Sequence, residues 1–250
     1  MIRLSAGAAL FDVEGTTSSV SYVYDVMFPF ARRELERFVR QTWSEASLDS
    51  LKQQFARDAG HSGSDEWLAS VDDSADDPAG VLIDEANRLM DADVKATGLK
   101  QLQGMIWKAG FESGELRSHL FEEVADALRG FHAAGVDLRI YSSGSVQAQR
   151  LFFAHTEHGD LSSLFSGHYD TTTGPKRKAG SYTAIAADWG LPAEQIAFFS
   201  DVTEELDAAR AAGLRTVLVH RPGNATPTPT TPPHDEISSF DEIEWRPAPA

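Results

Sequence analysis

Residues 8–17 read Ala8-Ala9-Leu10-Phe11-Asp12-Val13-Glu14-Gly15-Thr16-Thr17, four apolar residues that lead directly into a polar turn. The apolar run predicts a short buried strand, and the residues after it are typical of a turn. Asp12 therefore stands at the carboxyl end of the first predicted strand. An isolated Asp-x-Glu at such a place is more often a turn cap than a reactive group. Its role depends on which polar residues stand at the ends of the other strands.

Strands and helices alternate along the chain from residue 121 onward. Strands are predicted at 136–141, 165–169, 196–199 and 216–219, with helices at 121–134, 146–154, 181–189 and 204–212. This alternation indicates a parallel sheet covered on both faces. From Tyr22 to about Gly110 apolar residues recur at helical spacing instead. We therefore expect an α/β fold, a Rossmann-like parallel-sheet core with a helical cap domain inserted after the first strand.

These elements set the expected domain boundaries. Residues 1–20 and 116–222 form the α/β core, and residues 21–115 form the helical cap. Residues 223–250 are expected to be a Pro/Thr-rich linker and a C-terminal tail, because five Pro and four Thr fall between positions 221 and 233.

One part of the cap is expected to lack regular structure. Residues 60–80 are rich in Asp, Ser and Gly and predict solvated connections. The acidic run 72–77 lacks the glycine and the closing glutamate of a calcium-binding loop, so we interpret it as a solvated turn.

The composition excludes several classes of protein. The chain of 250 residues has no cysteine, so disulfides, thiolate metal sites and Cys nucleophiles are excluded. A formal charge of -16 argues against a nucleic-acid surface, which needs clustered Lys and Arg. No stretch predicts a membrane-spanning helix or a secretory signal. We expect a soluble cytoplasmic protein that acts as a monomer.

Polar residues stand after the predicted strands at the edge of the sheet where ligands bind. In open parallel sheets that edge lies outside the carboxyl ends of the strands. The polar residues placed there are Asp12, Glu14, Ser142, Ser143, Lys176 and Asp201. Each has an ordinary alternative, since serines and aspartates cap helices and a loop lysine is often only solvated. These residues fall at four places along the chain that share one edge of the sheet. One common site explains that better than four unrelated caps.

Phosphoryl transfer is the chemistry that this set of groups predicts. Mg²⁺ prefers carboxylate and phosphate oxygens, and Asp12 and Asp201 would supply the carboxylates. An aspartate can also attack phosphorus, which gives an aspartyl-phosphate intermediate. Because two anions repel, Lys176 and the metal ion would neutralise charge at the site.

The remaining polar groups have supporting roles in this interpretation. Ser142 or Ser143 could donate a hydrogen bond to a phosphate oxygen. Glu14 could protonate the leaving oxygen and then activate the hydrolytic water. The sequence does not support two rival sites, because Ser143 lies in no Gly-x-Ser-x-Gly elbow and Lys176 in no P-loop.

Several stretches resemble the haloacid dehalogenase superfamily and, within it, the enolase-phosphatases (acireductone synthases) of methionine salvage. Asp12–Thr17 resembles the first motif of the superfamily, with Glu14 where most of its phosphatases carry a second Asp. The other similar stretches are Ser21–Val23, Phe28–Ala31, Leu102–Trp107, Tyr141–Gln149, Phe199–Glu205 and Arg221–Asn224. The resemblance runs from about Ala9 to Asn224.

The resemblance implies a two-step reaction on a small phosphorylated diketone, 2,3-diketo-5-methylthiopentyl-1-phosphate. The substrate is enolised and then dephosphorylated to an acireductone, with one Mg²⁺ bound. By position, Asp12, Glu14 and Asp201 match the metal-site residues, and Asp12 is also the nucleophile.

The same resemblance places the substrate phosphate against Ser142, Ser143 and Lys176. Two alternatives to the enolase-phosphatase remain open on the sequence. One is a phosphatase of the same superfamily acting on another small phosphate ester. The other is a signalling receiver domain, which carries its phospho-accepting Asp later in the chain and has no large insertion after strand one.

Overall fold

The computed structural model describes residues 1–71, 76–231 and 233–246. Positions 72–75 of the predicted acidic turn lie outside the described residues. The chain forms two compact units. The first comprises Met1–Val23 together with the chain from Arg117 onward, and the second comprises Tyr24–Leu116.

The first unit is built on a six-stranded parallel sheet with strand order β4-β3-β2-β5-β6-β7. Its strands are β2 (Ala8–Phe11), β3 (Asp137–Tyr141), β4 (Phe165–Tyr169), β5 (Ile196–Ser200), β6 (Arg215–Val219) and β7 (Asp235–Ile237). A further strand, β1 (Ile2–Ser5), pairs in parallel with β8 (Ile243–Arg246). The α/β fold class predicted from the alternation of strands and helices is confirmed.

Helices lie in most of the connections between these strands, as is usual in a parallel sheet. They are α1 (Val20–Tyr22), α7 (Val124–Ala133), α8 (Val146–Ala154), α9 (Ala179–Trp189) and α10 (Thr203–Ala211). A π-helix, Val23–Met27, comes directly after α1. The bounds of α8 are those that the sequence predicts.

Pairing register brings the carboxyl ends of the central strands level with one another. Phe11 at the end of β2 pairs with Ile140 of β3 on one side and Phe199 of β5 on the other. The next residue, Asp12, donates its backbone N–H to the Phe199 carbonyl at 3.0 Å. The loops that leave β2, β3 and β5 therefore emerge at one edge.

Alternate residues of β2 and β5 build cores on the two faces of the sheet. On one face, the Phe11 and Phe199 rings stack at 5.0 Å between centroids, and Phe240 packs edge-on to both at 5.6 Å. On the other face, Leu10 and Phe198 are buried in a cluster that includes tyrosines and a tryptophan of neighbouring elements. Burial on both faces explains why β2 reads as a continuous apolar run.

The predicted linker and tail at 223–250 is wrong for residues 235–246, which are part of the first unit. β7 extends the main sheet by pairing with β6, and β8 pairs with β1. The reason lies in a few apolar anchors, since Ile237 and Phe240 are fully buried. The proline-rich segment before them leads back to the sheet.

The second unit consists of helices. They are α2 (Phe28–Thr42), α3 (Ala46–Asp58), α4 (Ser64–Ala69), α5 (Pro78–Asp91) and α6 (Thr97–Ser113). α6 packs closely on its neighbours through two glycines. A Cβ on Gly98 would lie 2.8 Å from the Phe55 ring, and one on Gly110 would lie 2.5 Å from Phe30.

The expectation of solvated connections at 60–80 missed α4. Trp67 in that helix is buried and stacks on Phe55 with ring centroids 6.0 Å apart. One large apolar side chain therefore outweighs the polar composition around it. In the part of the chain that the structure describes, no helix has the length and apolar character needed to cross a bilayer.

Candidate active site

Asp12 and Lys176 form a buried ion pair at the carboxyl edge of the sheet. The Lys176 ammonium lies 2.7 Å from Asp12 Oδ1, and both side chains are almost completely excluded from solvent. The same Oδ1 accepts a hydrogen bond from the Val13 backbone N–H at 2.8 Å. Asp12 is thus held by its own turn and by a lysine far along the chain, which a simple turn cap would not require.

A second carboxylate, that of Glu205, completes the lysine's surroundings. Glu205 Oε2 lies 2.6 Å from the Lys176 ammonium and accepts a hydrogen bond from Ser200 Oγ at 3.2 Å. Ser200 in turn accepts the Val202 backbone N–H at 3.1 Å. The end of β5 and the first turn of α10 are therefore linked to the same ammonium as Asp12.

The lysine loop is held in place by contacts of its own. Tyr141, the last residue of β3, donates its hydroxyl to the Gly174 carbonyl at 2.8 Å. Ser181 Oγ donates to the Pro175 carbonyl at 2.8 Å. A Cβ on Gly174 would meet the Ser181 side chain, so the loop needs glycine there. These contacts hold the loop that carries Lys176 at the edge of the sheet.

Burial and mutual repulsion shift the protonation of this cluster. Burial lowers the pKa of Lys176, but the carboxylates of Asp12 and Glu205 outweigh it, and the net result is a raised pKa. Burial, together with the charge of Asp12, raises the pKa of Glu205 to about 7. The same two causes raise the pKa of Asp201 to about 7. Negative charge is therefore in excess around one ammonium.

Asp201 lies beside the Asp12 turn and is fixed by an amide. Asn224 Nδ2 donates to Asp201 Oδ2 at 2.8 Å and to the Gly15 carbonyl at 2.8 Å. Gly15 adopts φ +77°, and a Cβ there would lie 2.7 Å from Asp201 Cγ. The close approach of these two loops therefore depends on glycine. Asp201 Oδ1 is buried and has no hydrogen-bond partner among the described residues.

Neither Asp201 nor the serine pair caps a helix. The N-cap of α10 is Val202, and the N-cap of α8 is Ser145, whose hydroxyl accepts the Ala148 N–H. The ordinary alternative for Ser142, Ser143 and Asp201 is therefore removed.

The two predicted serines differ in their surroundings. Ser142 is buried, donates its backbone N–H to the Tyr169 carbonyl at 3.2 Å, and accepts the Gly144 N–H at 3.3 Å through Oγ. Ser143 is exposed at the start of the same loop. Because β3 is the neighbour of β2, both residues lie after the strand next to Asp12.

Glu14 is half-buried, and its backbone bridges to Ser18 within the Asp12 turn. Among the residues described, no group of three or more His, Cys, Asp or Glu side chains could hold a metal ion. The three predicted ligands Asp12, Glu14 and Asp201 therefore do not form such a group through their side chains. A metal ion at this edge would need oxygens from the backbone, water or substrate in addition.

Comparisons with known proteins show the family to which the chain belongs. The family model for haloacid dehalogenase-like hydrolases matches residues 7–213. A protein of Pseudomonas syringae pv. syringae named Enolase-phosphatase E1 is 46% identical over 246 residues, covering 95% of this chain and 96% of that protein. One of the same name from Synechococcus elongatus is 43% identical, covering 97% and 99%. The chain belongs to the enolase-phosphatase E1 family.

A solved structure shares the fold over nearly the whole chain. The UTR4 protein of Saccharomyces cerevisiae superposes with a TM-score of 0.76 at 30% identity, covering 95% of this chain and 100% of that one. The predicted resemblance to the enolase-phosphatases is confirmed, and so is the prediction of a haloacid dehalogenase-like phosphatase. The receiver-domain alternative is set aside.

Three residues of the candidate site were missed by sequence reasoning. Glu205 lies in the first turn of α10, directly after the loop that carries Asp201, and that position at the carboxyl edge could have identified it. Gln149 and Asn224 stand in stretches that resemble the family, but the sequence did not assign them a role, because their contacts join loops that lie far apart in the chain. Both bind backbone oxygens at the sheet edge.

Proposed function

We propose that the enzyme converts 2,3-diketo-5-methylthiopentyl-1-phosphate to acireductone and orthophosphate, by enolisation and then dephosphorylation. The observation that carries the proposal is the buried cluster of Asp12, Lys176 and Glu205 at the carboxyl edge of the sheet. The curated relatives named for both activities support the choice of substrate. We also propose that the enzyme acts as a monomer in the cytoplasm.

In the dephosphorylation step, an Asp12 carboxylate oxygen attacks phosphorus. A new bond forms between Asp12 and phosphorus as the ester P–O bond breaks, and the leaving oxygen takes a proton from Glu14. Water then attacks the aspartyl phosphate, its proton goes to Glu14, and the carboxylate of Asp12 is restored with release of orthophosphate. Lys176 keeps Asp12 oriented and offsets the charge that accumulates.

In the enolisation step, a base on the enzyme takes a proton from the carbon that bears the phosphate ester, and the neighbouring carbonyl oxygen takes a proton from solvent water. We assign the base to Glu14, which is two residues from the nucleophile and only half-buried. The same carboxyl group is then protonated when the leaving oxygen needs an acid. Ser142 and Ser143 would hold the phosphate oxygens that do not react, with the backbone of their loop.

Enzymes of this family generally use Mg²⁺, and the residues present fit one. Asp201 Oδ1 is a buried anionic oxygen without a hydrogen-bond partner among the described residues, which is costly unless a cation binds it. Asp12 and Asp201 would hold the ion with their side chains, and Glu14 with its main-chain oxygen. A bound divalent cation would neutralise the phosphate and polarise its oxygens.

The proposal is tested by supplying the diketo phosphate ester and monitoring absorbance and phosphate together. We expect a transient absorbance from the enediol phosphate, then acireductone and orthophosphate in equal amounts. Release of phosphate without an enolised intermediate or acireductone would reject the substrate and leave a phosphatase of another small ester. Sedimentation at working concentration would test the monomer.

A matched pair of variants separates the two steps. Glu14→Gln should abolish both, because the same carboxyl group serves each. Lys176→Met should leave enolisation measurable while phosphate release falls. If Glu14→Gln still forms the enediol phosphate at the wild-type rate, Glu14 is not the enolisation base.

A further inference from the structure

Two side-chain amides bridge loops at the ends of neighbouring strands. Gln149 Nε2 donates to the carbonyls of Gly144 and Tyr169, both at 2.8 Å. Asn224 Nδ2 donates to the Gly15 carbonyl and to Asp201 Oδ2, both at 2.8 Å. All four partners are acceptors, so each amide uses both of its N–H donors.

Gln149 acts on the loop that carries the two serines. It is only 3% exposed and projects from α8. Gly144 belongs to the loop after β3, and Tyr169 is the last residue of β4, whose carbonyl also accepts the Ser142 N–H. Gln149 Oε1 lies 3.2 Å from Nδ1 of His168. The side chain is therefore held at both ends while it ties the serine loop to β4.

Asn224 acts on the other side of β2. It lies after β6 and links the turn after β2 to the carboxylate after β5. Its bond to Oδ2 of Asp201 leaves Oδ1 as the oxygen without a partner in the described structure. A Cβ on Gly15 would lie 3.0 Å from Asn224 Nδ2, so the amide sits directly against that backbone.

The two bridges join different pairs of neighbouring strands. Gln149 joins β3 to β4, whereas Asn224 joins β2 to β5. The first pair of loops carries the serines proposed to hold phosphate. The second carries the carboxylates proposed to hold the metal ion. Neither amide bonds to a residue that the other one holds.

We propose that Gln149 and Asn224 are positioning residues with separate tasks, Gln149 for the phosphate-binding loop and Asn224 for the metal-binding carboxylate. The inference rests on the proposed function for the identity of the two ligands. It goes beyond that function because it divides the site into two parts that are oriented independently.

Two variants keep the shape of each side chain and remove its donors, Gln149→Met and Asn224→Leu. Removing buried hydrogen bonds of this kind costs enough to weaken binding by about tenfold. Gln149→Met should weaken orthophosphate binding by about that factor and leave Mg²⁺ affinity within about twofold. Asn224→Leu should do the reverse. Titration calorimetry measures Mg²⁺ on the metal-free enzyme and orthophosphate at saturating Mg²⁺.

Steady-state kinetics gives a second measurement. If the two residues had only structural roles, both variants would change the kinetics in the same way. Gln149→Met should raise KM at any Mg²⁺ concentration. Asn224→Leu should raise the Mg²⁺ concentration for half-maximal rate, and excess Mg²⁺ should restore its turnover. Gln147→Met on the same helix and Asn87→Leu on α5 are the controls, expected to bind both ligands normally. Thermal unfolding checks that every variant is folded.

The inference is overturned if both variants lose both affinities alike, or if neither loses any. Should Gln149→Met fail to fold, Gln149→Asn keeps the amide but is too short for both carbonyls, and the same loss of phosphate affinity is expected. The probes are Mg²⁺ and orthophosphate, so the result stands even if the wild type hydrolyses a different ester. A wild type that binds neither probe would overturn the inference together with the proposed site.

Discussion

Replacing Glu205 by Gln should change how the stability of the enzyme depends on pH. The carboxylate is only 12% exposed and lies 2.6 Å from the Lys176 ammonium and 3.2 Å from Ser200 Oγ. Gln keeps the shape and the hydrogen-bonding capacity but carries no charge. The substitution therefore isolates the contribution of the Glu205 charge to stability.

The size of the effect is set by the pKa of Glu205, which burial and Asp12 raise from 4.5 to about 7. Between these two pH values the folded state holds a proton that the unfolded state has lost, so the free energy of unfolding falls as pH rises. One pKa unit corresponds to about 1.4 kcal/mol. The ionised carboxylate at pH 8 therefore costs about 3 kcal/mol relative to its protonated form in acid.

Because Gln does not titrate, the free energy of unfolding of the variant lacks this decrease with rising pH. The free energy of unfolding of Glu205→Gln, minus that of the wild type, should grow more positive by about 2 to 3 kcal/mol between pH 5 and pH 8. Urea unfolding in the presence of a chelator, at several pH values across that range, measures the difference. Glu204→Gln is the control, because Glu204 is the exposed neighbour on the same helix.

Parallel pH profiles for wild type and Glu205→Gln would refute the reasoning. So would a growing difference in the Glu204→Gln control. The same variant should lose activity, by about tenfold or more in kcat, because Lys176 is then paired with Asp12 alone and binds its nucleophilic carboxylate more tightly. A variant that is more stable but turns over more slowly is expected when a buried charge destabilises the fold and serves the active site.

Three further predictions concern the nucleophile, the metal ion and the C-terminal strands. Asp12→Asn should fold but release no phosphate, because an amide cannot attack phosphorus, and near-normal turnover in a phosphate assay would exclude Asp12. Chelation should stop turnover and Mg²⁺ should restore it, whereas activity that survives exhaustive chelation would count against the metal site. Phe240→Ala should lower the free energy of unfolding by about 3–5 kcal/mol, since the ring is 1% exposed, and an unchanged urea midpoint would contradict its place in the core.

The main sheet and the Asp12 turn could be predicted from the sequence because their signals are local. β2 is a run of buried apolar residues, and β3, β5 and β6 each come after a helix with clear periodicity. In a parallel sheet the carboxyl ends of the strands meet at one edge. That rule alone places Asp12, Lys176 and Asp201 at the same edge. It does not give the distances between their side chains.

The parts that could not be predicted depend on pairing between distant segments. β7 has three residues and β8 has four, and each is fixed by a partner that sequence periodicity does not reveal. Phe240 shows its role only when the rings of Phe11 and Phe199 are placed beside it. The amide bridges of Gln149 and Asn224 likewise depend on distances of a few ångströms between loops. Such contacts produce no periodic pattern or biased composition in the sequence from which they could be predicted.

The charges at the sheet edge explain why an acidic protein can handle an anionic substrate. Asp12, Glu205 and Asp201 lie close enough that Asp12 raises the pKa of the other two, while the Lys176 ammonium lies between Asp12 and Glu205. If all ionise, the cluster keeps an excess of negative charge, and a phosphate ester would add more. Repulsion of that size in a buried site is unfavourable unless a cation joins it. A divalent ion held by Asp12 and Asp201 would reverse the balance at the point where phosphate must bind, and Lys176 would keep its place beside the nucleophile. With a cation bound, metal and substrate charge would compensate each other, and the surface of the protein could stay acidic.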